Sequence, residues 1–215
     1  MRSFKEQNKF GRKKHKVKKL FFSPEFKVEF QWKDGLSLRV GSVLPESRHK
    51  ISNGLKDMSS VSIRNRFLGS KKEFSEKELQ YLTILDGWNH YAIGVEECEG
   101  KCRGVAVIRL VRSHQFKGEA EVAITIIDDF QGKGLGSVLM DLIILAAMER
   151  EIHRLSFTFL PQNEAIQKLI RKVGTPLIGT QTHDFVQLYL NLKTIDTKKI
   201  KSNLEKIFPL FAQFQ

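Results

Sequence analysis

Two periodicities run through residues 36–192 of the chain. Alternating apolar and polar positions predict strands at 36–40, 89–97, 103–112, 119–127 and 154–160, with a last pair near 176–180 and 184–192. Apolar residues at helical spacing predict helices near 45–57, 59–67, 75–85, 136–150 and 163–172. The clearest strand sets Val122, Ile124 and Ile126 on one face and Glu119, Glu121, Ala123 and Thr125 on the other. The clearest helix follows it, with Val138, Leu139, Leu142, Ile143, Leu145 and Ala146 at helical spacing. Pro161 and Pro176 fall at element ends, where a missing N–H is harmless.

Between that strand and that helix lies Phe130-Gln131-Gly132-Lys133-Gly134-Leu135-Gly136-Ser137. A glycine turn feeding a helix start presents a row of backbone N–H groups at the positive end of the helix dipole, where phosphate binds. Only residues without bulk let the backbone approach a pyrophosphate closely. The spacing is not that of a Walker-type loop, which needs Gly-x-x-x-x-Gly-Lys-Ser/Thr. Nor is it Gly-x-Gly-x-x-Gly, because glycine falls at 136 and serine at 137. The pattern that fits is Gln-x-x-Gly-x-Gly at Gln131, Gly134 and Gly136.

That loop resembles the acetyl-CoA pyrophosphate loop of the GNAT N-acetyltransferases. Gly118 to Phe130 is similar to the family's fourth strand and its Asp-Asp-aromatic turn, here Asp128-Asp129-Phe130. Ile152 to Asn163 resembles the fifth strand and the Asn that opens the next helix, and Lys172-Val173-Gly174 the Lys-x-Gly that ends it. Ser62 to Phe67, Leu82 to Asp86 and His90 to Val95 resemble one branch, the bacterial Pat-type protein lysine acetyltransferases that act on acyl-CoA synthetases. The resemblance covers roughly residues 36 to 192. It implies an α/β (α+β) GNAT fold: a mixed, mostly antiparallel twisted sheet of about 6–7 strands, flanked by helices and splayed around an acetyl-CoA cleft. The cofactor-binding set it implies is Ile124, Thr125, Ile126, Gln131, Gly132, Lys133, Gly134, Leu135, Gly136, Ser137 and Asn163.

The alternation of strand 119–127 turns Glu119 and Glu121 toward one cleft, although a bulge, common in this strand of the family, could turn the residues after it to the other side. The resemblance implies that Glu121, within Ala120-Glu121-Val122-Ala123, is the general base, with Glu119 in reserve. A base is wanted because a lysine of pKa about 10.4 is less than about 0.1% neutral at pH 7. For a Glu to take that proton well its own pKa must rise, which partial burial between apolar strand neighbours would achieve. The backbone N–H groups of Ile124 to Ile126 would polarise the thioester carbonyl. Many relatives protonate the leaving thiolate with a Tyr on the next helix. Residues 163–172 hold none, and Ile170 stands roughly in its place. A thiol of pKa about 8.5 leaves tolerably as thiolate without an acid; Tyr189 is either a substitute or a core aromatic.

Length and charge bound the rest. At 215 residues and 41% hydrophobic, with 16 Phe, the chain can bury a core of single-domain size. Of its net charge of +12, residues 1–19 carry +8, so residues 1–20 are expected to form a disordered basic tail, available to an acidic partner. The acetyltransferase domain is expected over 21–194. Residues 195–215 read as an amphipathic helical extension whose apolar face, Ile200, Leu204, Ile207, Phe208 and Phe211, packs on its own domain. No apolar run is long enough to span a membrane and no signal segment is read, so the cytoplasm is expected. Cys98 and Cys102 bracket a Glu-Gly-Lys turn and lack the partners of a zinc site, so two free thiols and no metal are expected. The expected activity is acetyl-CoA-dependent acetylation of a protein lysine. The alternatives are a small-amine acetyltransferase (polyamine, aminoglycoside or amino acid) and a non-catalytic acyl-CoA-binding module.

Overall fold

The alternating segments assemble into one eight-stranded sheet with order β1-β2-β3-β4-β5-β6-β8-β7, seen in a computed structural model that describes residues 20–98, 102–173 and 178–213. In chain order the elements are β1 (Lys27–Gln31), β2 (Ser37–Ser42), α1 (Arg48–Lys56), α2 (Ser60–Phe67), α3 (Glu76–Thr83), β3 (His90–Glu97) and β4 (Arg103–Arg112). There follow β5 (Glu119–Ile126), α4 (Leu135–Glu149), β6 (Arg154–Phe159), α5 (Glu164–Arg171), β7 (Ile178–Gln181), β8 (Val186–Asn191) and α6 (Thr197–Glu205). The basic tail, the Glu99-Gly100-Lys101 turn, Gly174 and Pro176 lie outside the described residues.

Every neighbouring pair is antiparallel except β5 and β6, the two strands joined through α4. Such a crossover is what a parallel neighbour requires. The sheet has one strand more than the upper expectation, because the alternation marks only the second strand of the β1–β2 hairpin. Val28 and Phe30 alternate with charged positions in β1, and only Phe30 is buried.

Apolar content decides where each helix goes. In α4, ten of fifteen residues are buried, so it has no wet face and lies inside the molecule, covering one side of the sheet. On that side Gly136 approaches Ile126 of β5 and Leu169 of α5, and α6 packs against α4. Ile200, Leu204, Phe208 and Phe211 are buried, and Phe211 meets the rings of Phe21 and Phe22. The apolar face of the C-terminal segment is thus covered by its own domain. α1 and α2 cover the opposite side, over β4 and β5. Among the described residues no helix is long and apolar enough to cross a membrane.

Arg150, at the end of α4, is fully buried and donates to the carbonyls of Gly87 (2.8 Å), Ala146 (2.9 Å) and Phe22 (2.7 Å), with its guanidinium 3.8 Å from the Tyr91 ring centroid. A buried charge is tolerated when carbonyl dipoles and an aromatic face replace water. Here it ties the segment before β1 and the turn before β3 to α4.

Candidate active site

Among the described residues, the sheet opens at the parallel pair. β5 and β6 are in register only at Glu119–Arg154, Ala120–Leu155 and Glu121–Ser156, although β5 continues to Ile126 and β6 to Phe159. Beyond Glu121 the strands diverge. The register of β5 with β4 is unbroken from Ala120 to Ile126, so no bulge reverses its faces; the irregularity lies at Val95/Glu96 of β3. Ser113 N–H donates to the Glu119 carbonyl and Ile127 N–H to the Val105 carbonyl. By alternation the odd positions of β5 bond to β4, and Ile124 and Ile126 turn their N–H groups into the gap. Thr125, expected to offer a third, instead pairs with Val107, and its Oγ1 accepts from Arg66 Nε at 2.9 Å.

The glycine loop closes the same end of the gap. Gly132 (φ 70°) and Gly134 (φ 95°) occupy the left-handed region, and Gly134 is the N-cap of α4. Gly132, Lys133 and Gly134 make no backbone hydrogen bond through their N–H groups among the described residues, while Leu135 and Gly136 lie in the first turn, whose donors have no intrahelical partner. Five consecutive donors therefore lack a backbone acceptor among the described residues, beside Ser137, whose N–H folds back on the Gly134 carbonyl at 3.0 Å. Gln131 braces the loop instead, its Nε2 donating to Ile126 O (2.8 Å) and Ser62 Oγ (3.0 Å). Asp128 accepts from Ser59 N, Ser59 Oγ and Ser62 Oγ at 2.7–3.0 Å. Burial pushes that carboxyl up, but these hydrogen bonds outweigh it and hold it below the usual carboxylate range.

One cation at this loop is not marked in the sequence. Lys33, in the turn between β1 and β2, brings Nζ to 3.9 Å from where a side chain on Gly134 would begin. No motif signals it, because the contact spans about a hundred residues. An exposed ion pair contributes about 0.2–1 kcal/mol. Lys33→Ala is therefore expected to weaken acetyl-CoA binding by up to about fivefold and to flatten its salt dependence. Calorimetry at two salt concentrations checks this; unchanged affinity and slope would remove Lys33 from the site.

The two carboxylates part company. Glu119 is buried at 5% exposure and held by Arg154, whose Nε donates at 2.7 Å, so it does not look into the cleft. Glu121 is exposed on the last shared rung of the fork. The burial expected from its strand neighbours is absent, so only bound ligands can supply it. Tyr189 shares the rung through Ser156, but its hydroxyl donates to Gln187 Oε1 at 3.0 Å. Asn163 caps α5, its Oδ1 accepting from Ile166 N at 3.3 Å, which leaves its amide NH2 for a ligand.

On the Glu121 face a cavity of about 670 Å³ lies between the sheet and α1–α3, floored by Ala123 and Thr125. Arg66 and Arg109 line it with Met58, Phe67, Phe74 and Leu82. Arg109, 5% exposed, donates to Leu82 O at 2.9 Å and to His90 Nε2 at 2.5 Å. Burial, then the charge of Arg109, depresses His90 to about 4, so the imidazole is neutral at pH 7 and accepts. Burial and the neighbouring Arg66 lower Arg109 to about 10, which still leaves it charged. Elsewhere, Glu96, Cys98 and Cys102 place donor atoms within 4.8 Å of one another. Lys50 (2.7 Å) and Arg39 (3.6 Å) pair with the Glu96 carboxylate of that group.

Comparison with known proteins agrees with this geometry. A domain model described as "Acetyltransferase (GNAT) domain" matches residues 63–175. Acetyltransferase Pat of Mycolicibacterium smegmatis is 32% identical over 148 residues, 68% of this chain but only 44% of that protein's length. An acetyltransferase of Pseudomonas aeruginosa is 28% identical over 66% of this chain and 76% of its own. In fold, the chain is similar to the GNAT domain of S. lividans PAT (TM-score 0.68, 23% identity, 77% of this chain and 96% of that one). It is also similar to a spermidine N-acetyltransferase from Vibrio cholerae solved with CoA and spermine (TM-score 0.56, 14% identity, 73% and 96%).

Proposed function

Because the chain belongs to the GNAT acetyltransferase family, we propose that it moves the acetyl group of acetyl-CoA onto the ε-amine of a protein lysine. The observation that carries this reading is the fork. A carboxylate, Glu121, stands on its last shared rung, two free strand N–H groups lie just beyond, and a phosphate-type loop stands at its mouth.

In this reading the amides from Gly132 to Gly136 hold the pyrophosphate at the positive end of α4, and Lys33 adds charge from outside. The pantetheine arm lies between β5 and β6, where it replaces the missing ladder. Glu121 takes a proton from the lysine ammonium, directly or through one water. The neutral amine attacks the thioester carbonyl, whose oxygen gathers negative charge against the N–H groups of Ile124 and Ile126. The tetrahedral intermediate then collapses: the C–S bond breaks, the nitrogen gives up its second proton to solvent water, CoA leaves as thiolate, and Glu121 returns its own proton to solvent. No Tyr of α5 is present to protonate it, and Tyr189 is engaged with Gln187.

The acceptor face bears on the choice of amine. A polyamine site needs several carboxylates, yet next to Glu121 the cavity carries Arg66 and Arg109. Its acidic residues, Glu25, Glu46 and Glu96, belong to β3 and the segments around β1 and α1. Two cations repel spermidine and tolerate a surface lysine that enters singly. The acceptor to test first is an acyl-adenylate-forming synthetase, the class modified by the Pat-type branch this chain resembles. Acetylation would remove the charge of its catalytic lysine. Incubating the full chain with acetyl-CoA and either such a synthetase or a lysate, followed by mass spectrometry, is expected to reveal acetyl-lysine. Fast transfer to spermidine or an aminoglycoside, with none to any protein lysine, would decide for a small-amine enzyme.

A further inference from the structure

Arg66 and Arg109 are charges without a counter-ion. Neither makes an ion pair among the described residues. Arg109 meets only a neutral imidazole and one carbonyl. Arg66 spends Nε on Thr125 Oγ1 and its guanidinium lies 5.1 Å from the Phe67 ring centroid, while neither of its Nη atoms has a hydrogen-bond partner among the described residues. Glu121 acts on Arg66 through space and does not pair with it. Each cation raises the cost of the other, since Arg66 is among the causes that lower Arg109. Such an arrangement is unfavourable when empty, and an anion between the two would offset it. The charged pair also sits at the wall of a cavity otherwise apolar at that end, with Phe67, Phe74, Leu82 and Met58 around it.

We propose that Arg66 and Arg109 form a carboxylate-binding subsite that selects an acidic group on the molecule reacting at Glu121. The proposal rests on the acetyl-transfer reading for which molecule that is, but not for the existence of the subsite. The two Nη groups of Arg66 form a fork of N–H donors that matches the planar, two-oxygen geometry of a carboxylate, and Arg109, whose Nη atoms already donate to His90 and Leu82, adds its charge and its remaining N–H groups. The place is set by the strands. Arg109 pairs in register with Ala123, one strand repeat of about 7 Å from Glu121 on the same face. A carboxylate here therefore belongs to the reacting molecule, several bonds from the amine or from the acyl carbon. It has two possible sources: an acidic residue flanking the target lysine, or the far end of a dicarboxylic acyl group carried by CoA.

The test separates these sources. Peptides with one lysine flanked by Glu, or by Gln at the same positions, are compared as acceptors for the wild type and for Arg66→Met. Acetyl-CoA and succinyl-CoA are compared as ligands by calorimetry. If the acceptor supplies the carboxylate, the Glu peptide shows a KM about tenfold below the Gln peptide, and Arg66→Met brings that ratio close to one while acetyl-CoA affinity persists. If the donor supplies it, succinyl-CoA binds about tenfold tighter than acetyl-CoA and loses that margin in the variant. Equal KM values together with equal CoA affinities in the wild type overturn the proposal. So does a margin that survives Arg66→Met in a variant melting at the wild-type temperature; Arg109→Gln repeats the comparison if Arg66→Met is unfolded. Should no amine be acetylated at all, glutarate still judges the subsite. It should raise the melting temperature of the wild type and not of the variant, with neutral glutaramide inert. An equal shift by both compounds, or none by either, counts against the subsite.

Discussion

Glu121→Gln is expected to lower turnover by about 10²–10⁴-fold at neutral pH, the span of a lost general base, with acetyl-CoA affinity retained. Gln keeps the size and the rung position but cannot accept the ammonium proton. The residual rate should climb with pH, nearly tenfold per unit below the lysine pKa of about 10.4, because solvent then supplies the neutral amine. The wild type should climb less. Steady-state rates between neutral and alkaline pH, with calorimetry on the same preparations, measure both. Undiminished turnover would move proton transfer to water. It would not move it to Glu119, whose carboxylate is held by Arg154. Glu119→Gln is instead expected to cost stability, since it leaves a 5%-exposed position opposite an unmatched cation.

Gly134→Val is expected to weaken acetyl-CoA binding by about 10²-fold or more, and turnover with it. At φ 95° a β-branched side chain is strained before any ligand arrives, at a cost of order 1–3 kcal/mol. Turning the peptides on either side would relieve that strain and disperse the row of N–H groups proposed to hold the phosphates. A methyl-bearing Cβ would also stand where the proposed pyrophosphate approaches. Gly136→Val tests the same loop from inside: its φ is ordinary, but a Cβ there lies 3.4 Å from Ile126 Cδ1 and from Leu169 Cδ2, so two further methyls wedge α4 away from β5. A folded Gly134→Val protein with unchanged affinity would show that the loop does not hold the cosubstrate.

Much of the strand, turn and helix proposed to receive the cosubstrate was legible, because that unit is local. Strand 119–127, the glycine turn and the apolar helix follow one another within about thirty residues, and periodicity reads such runs well. The cavity proposed for the acceptor is built by distant segments. Arg109 sits in the middle of an apolar strand, where its pattern says core. Only packing shows that it emerges under α2 beside Arg66, with His90 as its neutral partner. The fate of Glu119 was hidden for the same reason. Its partner Arg154 is set by a parallel register that no turn encodes. Lys33 was missed with its hairpin, where β1 exposes three of five residues and leaves too weak an alternation to read.

Under the proposed reading, the knot between Asp128, Ser59, Ser62 and Gln131 would make the two substrates speak to each other. Asp128 fixes the first turn of α2, and Gln131 fastens the same Ser62 to the loop that would receive the pyrophosphate. A phosphate that orders the loop thereby orders the helix that carries Arg66, so the ordering entropy is lost once and shared by both ligands. Binding at either end then favours binding at the other. Linkage makes the effect reciprocal: the factor by which acetyl-CoA tightens the acceptor equals the factor by which the acceptor tightens acetyl-CoA.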